Sequence, residues 1–413
     1  MKMKKLMALM LTGMLAAGAL AGCGGSSSGG SAAPAEKTET EAEAGTEAEA
    51  GSEETASADA KWMIGEIGPI TGGAAIYGLD VAHGAELAVK EINEAGGING
   101  FQIEYKYEDD EHDAEKAVNA YNTLKDWGMQ ILLGTVTSTP CTAVAAETAN
   151  DQMFQLTPSG SSLDCIKNDN CFAVCFNDPQ QGAKSAQYIA SHFADAKIAT
   201  IYDSSTPYSA GIERTFEAEA EVQGLNIVAK TSFTVDSATD FSAQIQQIKD
   251  AGADFVFLPI YYTEASIILQ QAADAGLAVT YFGCDGMDGI LGVENFDTSL
   301  AEGLMLLTPF AADATDDLTV NFVTQFEGTY GNTPNQFGAD AYDGMYALKA
   351  AIEAANITPD ASTADICEAL KASIQTISVE GLTGTITWSE TGEPDKEPKA
   401  VKIEGGKYVS IED

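Results

Sequence analysis

Positive charge is scarce in this sequence. The 413 residues carry 21 Lys and Arg against 62 Asp and Glu, a formal net charge of −41 at pH 7. Nucleic acid and anionic bilayer surfaces repel such a chain, so neither surface is expected as a partner. The plain consequence of the charge is a solvated surface that keeps molecules apart, and a monomer is expected. Histidine is scarce too: His83, His112 and His192 are scattered and are placed as surface or helix residues rather than as ligands or bases. The cysteines lack the C-x2-C pairing of zinc sites. No H-E-x-x-H, no P-loop lysine and no Ser, His and Asp in a plausible context occur. The letters GSSSG at Gly25 to Gly29 match the serine-hydrolase elbow, but an elbow stands between a strand and a helix, and this stretch adjoins neither. Catalysis, a metal and a cofactor are therefore not expected.

Long apolar runs are lacking as well, with one exception. Lys2, Lys4 and Lys5 precede an apolar run from Leu6 to Leu20, which ends in small residues. That is the pattern of a secretory signal peptide over residues 1–22, too short for a membrane span. Leu20-Ala21-Gly22-Cys23 resembles the bacterial lipobox, in which Cys23 is lipidated and becomes the N-terminus. From Gly24 to Ala60 there is no aromatic or large aliphatic residue. Such a segment cannot bury enough apolar surface to offset its ordering entropy, so residues 23–60 read as a lipidated cysteine and a disordered acidic stalk. The leader carries three lysines and no acids, so its removal takes the net charge from −41 to −44. An extracytoplasmic chain anchored to the cell membrane through the lipid on Cys23 is expected.

The remaining residues, roughly 350, exceed one typical core and suggest two lobes. The runs WMIGEIG, FQIEYKY, MQILLG, MFQLTP, KIATIYD, LNIVAK, DFVFLP and VTYFG read as strands. Between them lie helical patterns. DVAHGAELAVKEINEAGG puts Ala82, Ala85, Val89 and Ile92 on one face and stops at Gly96-Gly97, and FSAQIQQIKDAGA and EASIILQQAADAGL each close at Ala-Gly. Strand–helix alternation predicts parallel sheets with helices on both faces, and ligands there bind beyond the carboxyl ends of the strands.

Those strand ends share a chemistry. They hold Tyr77, then Thr137, Ser138 and Thr139, then Ser159 and Ser161, then Tyr208, then Tyr261 and Tyr262. The last, YFGCDGMDG, holds one acid, Asp285, between Gly283 and Gly286. Any one of these residues suits an ordinary turn. Together they suit a zwitterionic amino acid: hydroxyls and N–H groups for a carboxylate, a lone acid for an ammonium, aromatic walls for a side chain. The glycines are expected to leave room for the ammonium. No second titratable group at these strand ends pairs with Asp285.

From about Lys61 to Val409 the chain resembles the periplasmic-binding-protein type I family, and within it the leucine/isoleucine/valine-binding proteins of ABC importers. The stretches that carry the resemblance are IGPITGGAAIYG, GAELAVKEINEAGGING, YEDDEHDAEKAV, TSTPCTAVA, LTPSGSS, YDSSTPYSAG, DFSAQIQQIKDAGADFVFLPIYYTEA, QAADAGL and FGCDGMDG, in this order. The resemblance implies an α/β fold of two doubly wound parallel-sheet lobes joined by three crossovers, a Venus-flytrap that closes on a small-molecule ligand by hinge motion. Lobe 1 would comprise residues 61–178 and 309–380, and lobe 2 residues 179–308 and 381–413. It further implies that Ser138 and Ser161 bind the α-carboxylate with the Ser159 backbone assisting, that Tyr208 lines the opposite lobe, and that Asp285 holds the α-ammonium. Tyr77 and Tyr261 or Tyr262 would wall the side-chain pocket. ABC permease subunits are the implied protein partners.

The chain departs from the family pattern in two places. SGSS stands where the family more often has Ala-Thr, and an aromatic of the leucine pocket is replaced near Gly338-Ala339, which implies a wider or more polar pocket. The early family disulfide is absent, with His112 near its place. Cys165 and Cys171 flank a short polar loop in CIKNDNC and are the candidate disulfide, while Cys141, Cys175, Cys284 and Cys367 are unassigned. Two rivals remain. One is a sensor that hands its ligand to a receptor; the other is a binder of a small amide or other non-amino-acid solute.

The lipobox reading has a direct test. Cys23→Ala should move the protein from the membrane fraction to the soluble fraction at high salt. Fractionation of the variant with membranes would overturn the anchor.

Overall fold

Short apolar runs can satisfy their backbone groups only by pairing, and the amphipathic stretches between them must bury one face on the resulting sheet. The computed structural model, which describes residues 60–411, shows both. The leader, Cys23 and nearly all of the stalk lie outside the described residues.

In chain order the first elements are β1 (Trp62–Gly68), α1 (Ala75–Glu94), β2 (Ile103–Asp109), α2 (Ala114–Trp127), β3 (Ile131–Gly134), α3 (Ser138–Asp151), β4 (Phe154–Thr157) and β5 (Cys171–Ala173). The five strands pair in the order β2-β1-β3-β4-β5, all parallel. β3 and β4 are buried along their whole length, as strands covered on both faces must be. Helix ends follow local rules: Asp113 caps α2 by accepting from the Lys116 N–H, and Gly128 ends it in the left-handed region at φ 101°.

The chain then crosses to α4 (Asp178–His192), β6 (Lys197–Asp203), α5 (Pro207–Gln223), β7 (Asn226–Phe233), α6 (Ser242–Ala251), β8 (Phe255–Leu258), α7 (Tyr262–Asp274), β9 (Thr280–Gly283) and β10 (Met305–Thr308). It returns to the first sheet as α8 (Asp317–Tyr330), α9 (Gln336–Ala355), α10 (Thr363–Ile374) and a hairpin of β11 (Val379–Gly381) and β12 (Gly384–Ile386). It crosses a third time to β13 (Lys399–Glu404) and β14 (Lys407–Ser410). The second sheet has the order β14-β13-β10-β9-β8-β6-β7.

The parallel core of the second sheet carries two antiparallel strands at one edge: β13 runs antiparallel to β10, and β14 antiparallel to β13. The turn between them is Gly405-Gly406, at φ 60° and 74°, the pair of positive values a tight hairpin favours. The return to the second sheet comes later than the expected residue 381. The Asp343 carboxylate on α9 accepts from the Leu382 and Thr383 N–H groups at 2.8 and 2.9 Å, and Trp388 Nε1 donates to the Ala173 carbonyl at 2.8 Å. These bonds hold residues 382–388 beside the first sheet.

Helices α1 and α9 approach each other closely. A Cβ built on Gly84 of α1 would lie 2.0 Å from the Gly338 carbonyl oxygen of α9. That clash involves rigid backbone, so Gly84→Ala must push the helices apart. We expect a loss of about 1–3 kcal/mol in unfolding free energy, the usual cost of overpacking, measured by urea denaturation. An unchanged midpoint would show that the contact is loose.

Candidate ligand-binding site

The carboxyl ends of both sheets converge on one cleft. On the first lobe, the segment before α3 and the loop after β4 are stitched together. Thr157 Oγ1 donates to the Thr135 carbonyl at 2.6 Å, Ser159 Oγ donates to the Val136 carbonyl at 2.6 Å, and Ser138 Oγ accepts from the Ser162 N–H at 3.2 Å. Ser138 is the first residue of α3, so its N–H belongs to the unpaired donors of a helix start. Ser138, Ser159 and Ser161 are all buried.

On the second lobe, Asp285 follows β9. Its Oδ1 accepts from Tyr208 Oη at 2.6 Å, and Tyr208 Oη accepts in turn from the Gly286 N–H at 2.9 Å. Burial pushes the Asp285 carboxyl up to about 6, against the pull of the Tyr208 hydrogen bond. Gly286 is not bare for a ligand: a Cβ there would meet Tyr208 Oη at 2.6 Å and the Ile260 carbonyl oxygen at 2.8 Å. At Gly283 the space is filled by Met287. The glycines thus admit the protein's own groups, which corrects the expectation that they leave room for an ammonium.

The aromatic walls are now resolved. Tyr261 stacks on Tyr208, centroids 4.7 Å apart, and meets Tyr77 edge-on at 5.6 Å. Tyr262 turns away: its Oη accepts from the Ile76 N–H at 3.1 Å, at the start of α1. Of the two, Tyr261 lines the cavity, while Tyr262 holds α1 to α7. Phe337, at 4.5 Å from Tyr77, supplies an aromatic wall one residue before the expected replacement at Gly338-Ala339. A wider or more polar pocket was expected near this place, and Phe337 lines the cavity beside it.

Tyr77, Val136, Thr137, Ser159, Ser161, Tyr208, Tyr261, Asp285, Gly286 and Phe337 surround a cavity of about 10 Å³. Small-molecule sites typically measure a few hundred Å³, so a ligand enters only if the lobes separate. Several bonds join the lobes across it. Tyr77 Oη donates to the Gly286 carbonyl at 2.5 Å, Thr263 Oγ1 to the Gly73 carbonyl at 2.6 Å, and the Gln336 N–H to Asp288 Oδ2 at 2.9 Å.

Two residues near the site escaped the sequence reading. Asp178, first in α4, is buried, and its Oδ1 has no hydrogen-bond partner among the described residues. Burial carries its carboxyl well above the usual range; a hydrogen bond with Ser161 opposes this, and the Asp285 charge adds to the rise. So a second acid does feel Asp285, against expectation. It was missed because β5 is only three residues long and was not read as a strand. His112, expected as a surface or helix residue, hydrogen-bonds through Nδ1 to Thr137 Oγ1 at 2.8 Å and meets Tyr261 edge-on.

The expected Cys165–Cys171 disulfide is not formed, and both thiols are free. They face different partners. Cys171 Sγ lies 3.7 Å from both Thr148 Oγ1 and Gln155 Oε1, whereas Cys165 Sγ points to the Ser138 carbonyl at 3.6 Å.

Two parallel-sheet lobes that close a polar, aromatic-walled cleft by bonds between them define a hinged solute-binding protein. The chain belongs to the periplasmic binding protein family, whose profile matches residues 61–407. It is 30% identical over 364 residues to Leu/Ile/Val-binding protein homolog 3 of Brucella melitensis, covering 86% of this chain and 95% of that relative. Among solved structures it is similar to the branched-chain amino acid transporter substrate-binding protein LivJ of Streptococcus pneumoniae in complex with isoleucine. That match has a TM-score of 0.76 and 26% identity, and covers 85% of this chain and 100% of that one. It also shares the fold of an R. palustris ABC transporter solute-binding protein in complex with benzoate, with a TM-score of 0.74, 20% identity and coverage of 85% and 95%. No helix among the described residues is long and apolar enough to cross a membrane.

Buried acids give the ligand-free protein a definite pH response. Burial raises Asp80 and Asp285 to about 6, and Asp110, Glu213, Asp288 and Asp340 to about 7. Unfolded carboxyls titrate near 4, so the fold favours the neutral forms. Their contribution to stability is full below about pH 4 and is lost as pH rises through 6–7. The melting temperature of the ligand-free protein should therefore fall between pH 5 and pH 8, by on the order of 5 °C. A higher value at pH 8 by scanning calorimetry would contradict the burial of these acids.

Proposed function

We propose that this chain is an extracytoplasmic substrate-binding lipoprotein that captures an α-amino acid with a branched-chain-type side chain and delivers it to an ABC importer. The observation that carries the reading is the buried Asp285 carboxylate, which faces a cavity lined by serines on the other lobe. An ammonium would neutralise it, with Asp178 as a second acid nearby. The N–H groups at the start of α3 and the Ser159–Ser161 loop would hold the carboxylate, with the Ser138 and Ser161 hydroxyls, and Tyr77, Tyr208, Tyr261 and Phe337 would enclose the side chain. The relatives named Leu/Ile/Val-binding and the isoleucine complex of the LivJ protein support this ligand class. Lobe 1 would comprise residues 61–178 and 309–388, and lobe 2 residues 179–308 with the C-terminal strands β13 and β14. Cys23 carries the lipid, the mature protein is a monomer, and permease subunits receive the ligand.

A second reading is an aromatic carboxylate. The four aromatic walls and the benzoate complex of the R. palustris protein favour it, but a benzoate brings no cation for Asp285.

A thermal-shift screen of amino acids, amides and benzoates identifies the ligand, since occupancy at 100 Kd adds about 2.7 kcal/mol. With the best amino acid, Asp285→Asn should weaken binding by about 2–5 kcal/mol, roughly 30-fold to several thousand-fold in Kd. Ser138→Ala should lose only about 0.5–2 kcal/mol, because backbone N–H groups still hold the carboxylate. Titration calorimetry measures both. Unchanged affinity in Asp285→Asn would move the ligand class away from α-amino acids.

A further inference from the structure

We propose that Cys141 and Cys165 form a disulfide when the chain folds in an oxidising compartment, locking the carboxylate-binding half of the cleft. Cys141 lies in the first turn of α3, and Cys165 in a short 3-10 turn, Leu163–Ile166, just after the Ser159–Ser162 loop. Cys165 Sγ reaches the Ser138 carbonyl at 3.6 Å and Thr142 Oγ1 at 3.9 Å, the residues on either side of Cys141 along the helix. The Cys141 and Cys165 thiols lie close enough to perturb each other's ionisation. Both are fully buried and share one apolar cluster with Ile166, Ala173 and Cys175. No comparable contact joins Cys165 to Cys171, whose thiol faces Thr148 and Gln155.

The chemistry is thiol–disulfide exchange with a dithiol-disulfide oxidant or a small-molecule disulfide. One cysteine thiolate attacks an oxidant sulfur and displaces its partner as a thiolate. The other cysteine thiolate then attacks the mixed disulfide and forms the Cys141–Cys165 bond. Two thiol protons and two electrons leave the protein, and the oxidant's disulfide becomes two thiols. Both thiols are inaccessible in the folded protein, so the exchange takes place during folding.

The bridge would connect the helix that presents Ser138 to the loop that presents Ser159 and Ser161. Separation of the lobes would then move that half of the site as one body. This restraint differs from the loop closure expected between Cys165 and Cys171, which would not have linked α3 covalently to the Ser159–Ser162 loop.

The inference rests on the extracytoplasmic reading only for where the bridge forms, so the test is made in vitro. The Cys23→Ala chain is refolded in a mixture of reduced and oxidised glutathione, alkylated, digested without reduction and mapped by mass spectrometry. The expected result is a Cys141–Cys165 linked peptide, with Cys171, Cys175, Cys284 and Cys367 alkylated. Alkylation of both Cys141 and Cys165, or linkage of either to another cysteine, overturns the proposal. Reductant should lower the melting temperature of the refolded chain by about 5 °C, but leave that of Cys165→Ser unchanged. An equal response in both would also overturn it. If Cys165→Ser does not fold, the peptide map alone decides. A bridge in refolded protein but none in protein isolated from cells would count against the extracytoplasmic reading, not against the pair.

Discussion

The structure depends on how it buries negative charge. Asp178, Asp285, Asp288, Asp340 and Asp343 all lie buried at or between the lobes, and Lys396 is the buried lysine among the described residues. Carboxylates out of water are costly unless hydrogen bonds or cations replace the lost hydration. Most of these acids are satisfied by groups of other segments, which turns a cost into connectivity. Asp343 takes the Leu382 and Thr383 N–H groups, Asp288 takes the Gln336 N–H, and Asp340 takes Lys396 Nζ at 2.6 Å. Each bond ties a crossover or an opposite lobe to α9.

Helix α9 is consequently the organising element. It is buried over most of its length, and Asn335 caps its start by accepting from the Phe337 and Gly338 N–H groups. The same turn does three further things. Gln336 Nε2 donates to the Asp285 carbonyl at 3.2 Å, Phe337 walls the cavity, and Gly338 lets α1 approach. Opening of the cleft and rearrangement at this turn are therefore linked through shared hydrogen bonds, as a hinged binding protein requires. Asp285 differs from the acids around it. Among the described residues its carboxylate has a tyrosine hydroxyl and no cation, and it faces the cavity, so a ligand's positive charge would complete it.

The two ends of the cleft contrast in chemistry. The first lobe offers N–H and hydroxyl groups, stitched into one piece by Thr157, Ser159 and Ser138. The second offers an acid and stacked rings. The proposed zwitterionic ligand would fit such a polarity in one orientation only, with the aromatic shell excluding water from both of its ends.

The sequence by itself determined the alternation of strands and helices, the doubly wound lobes, and the residue types gathered at the strand ends, Asp285 among them. These follow from local rules: apolar periodicity, helix caps and the position of ligands in parallel sheets act over a few residues and survive any packing. Only the tertiary structure decided that Tyr261 rather than Tyr262 faces the cavity, that Phe337 supplies an aromatic wall, that Asp178 joins the site, and that Cys165 meets Cys141. It also decided that Gly283 and Gly286 make room for Met287 and Tyr208 rather than for a ligand. Each of these depends on the direction a side chain takes once its element is docked against another, often far away in sequence. Spacing along the chain fixes which residues stand at a strand end, but the rotation of the neighbouring helix fixes what they touch.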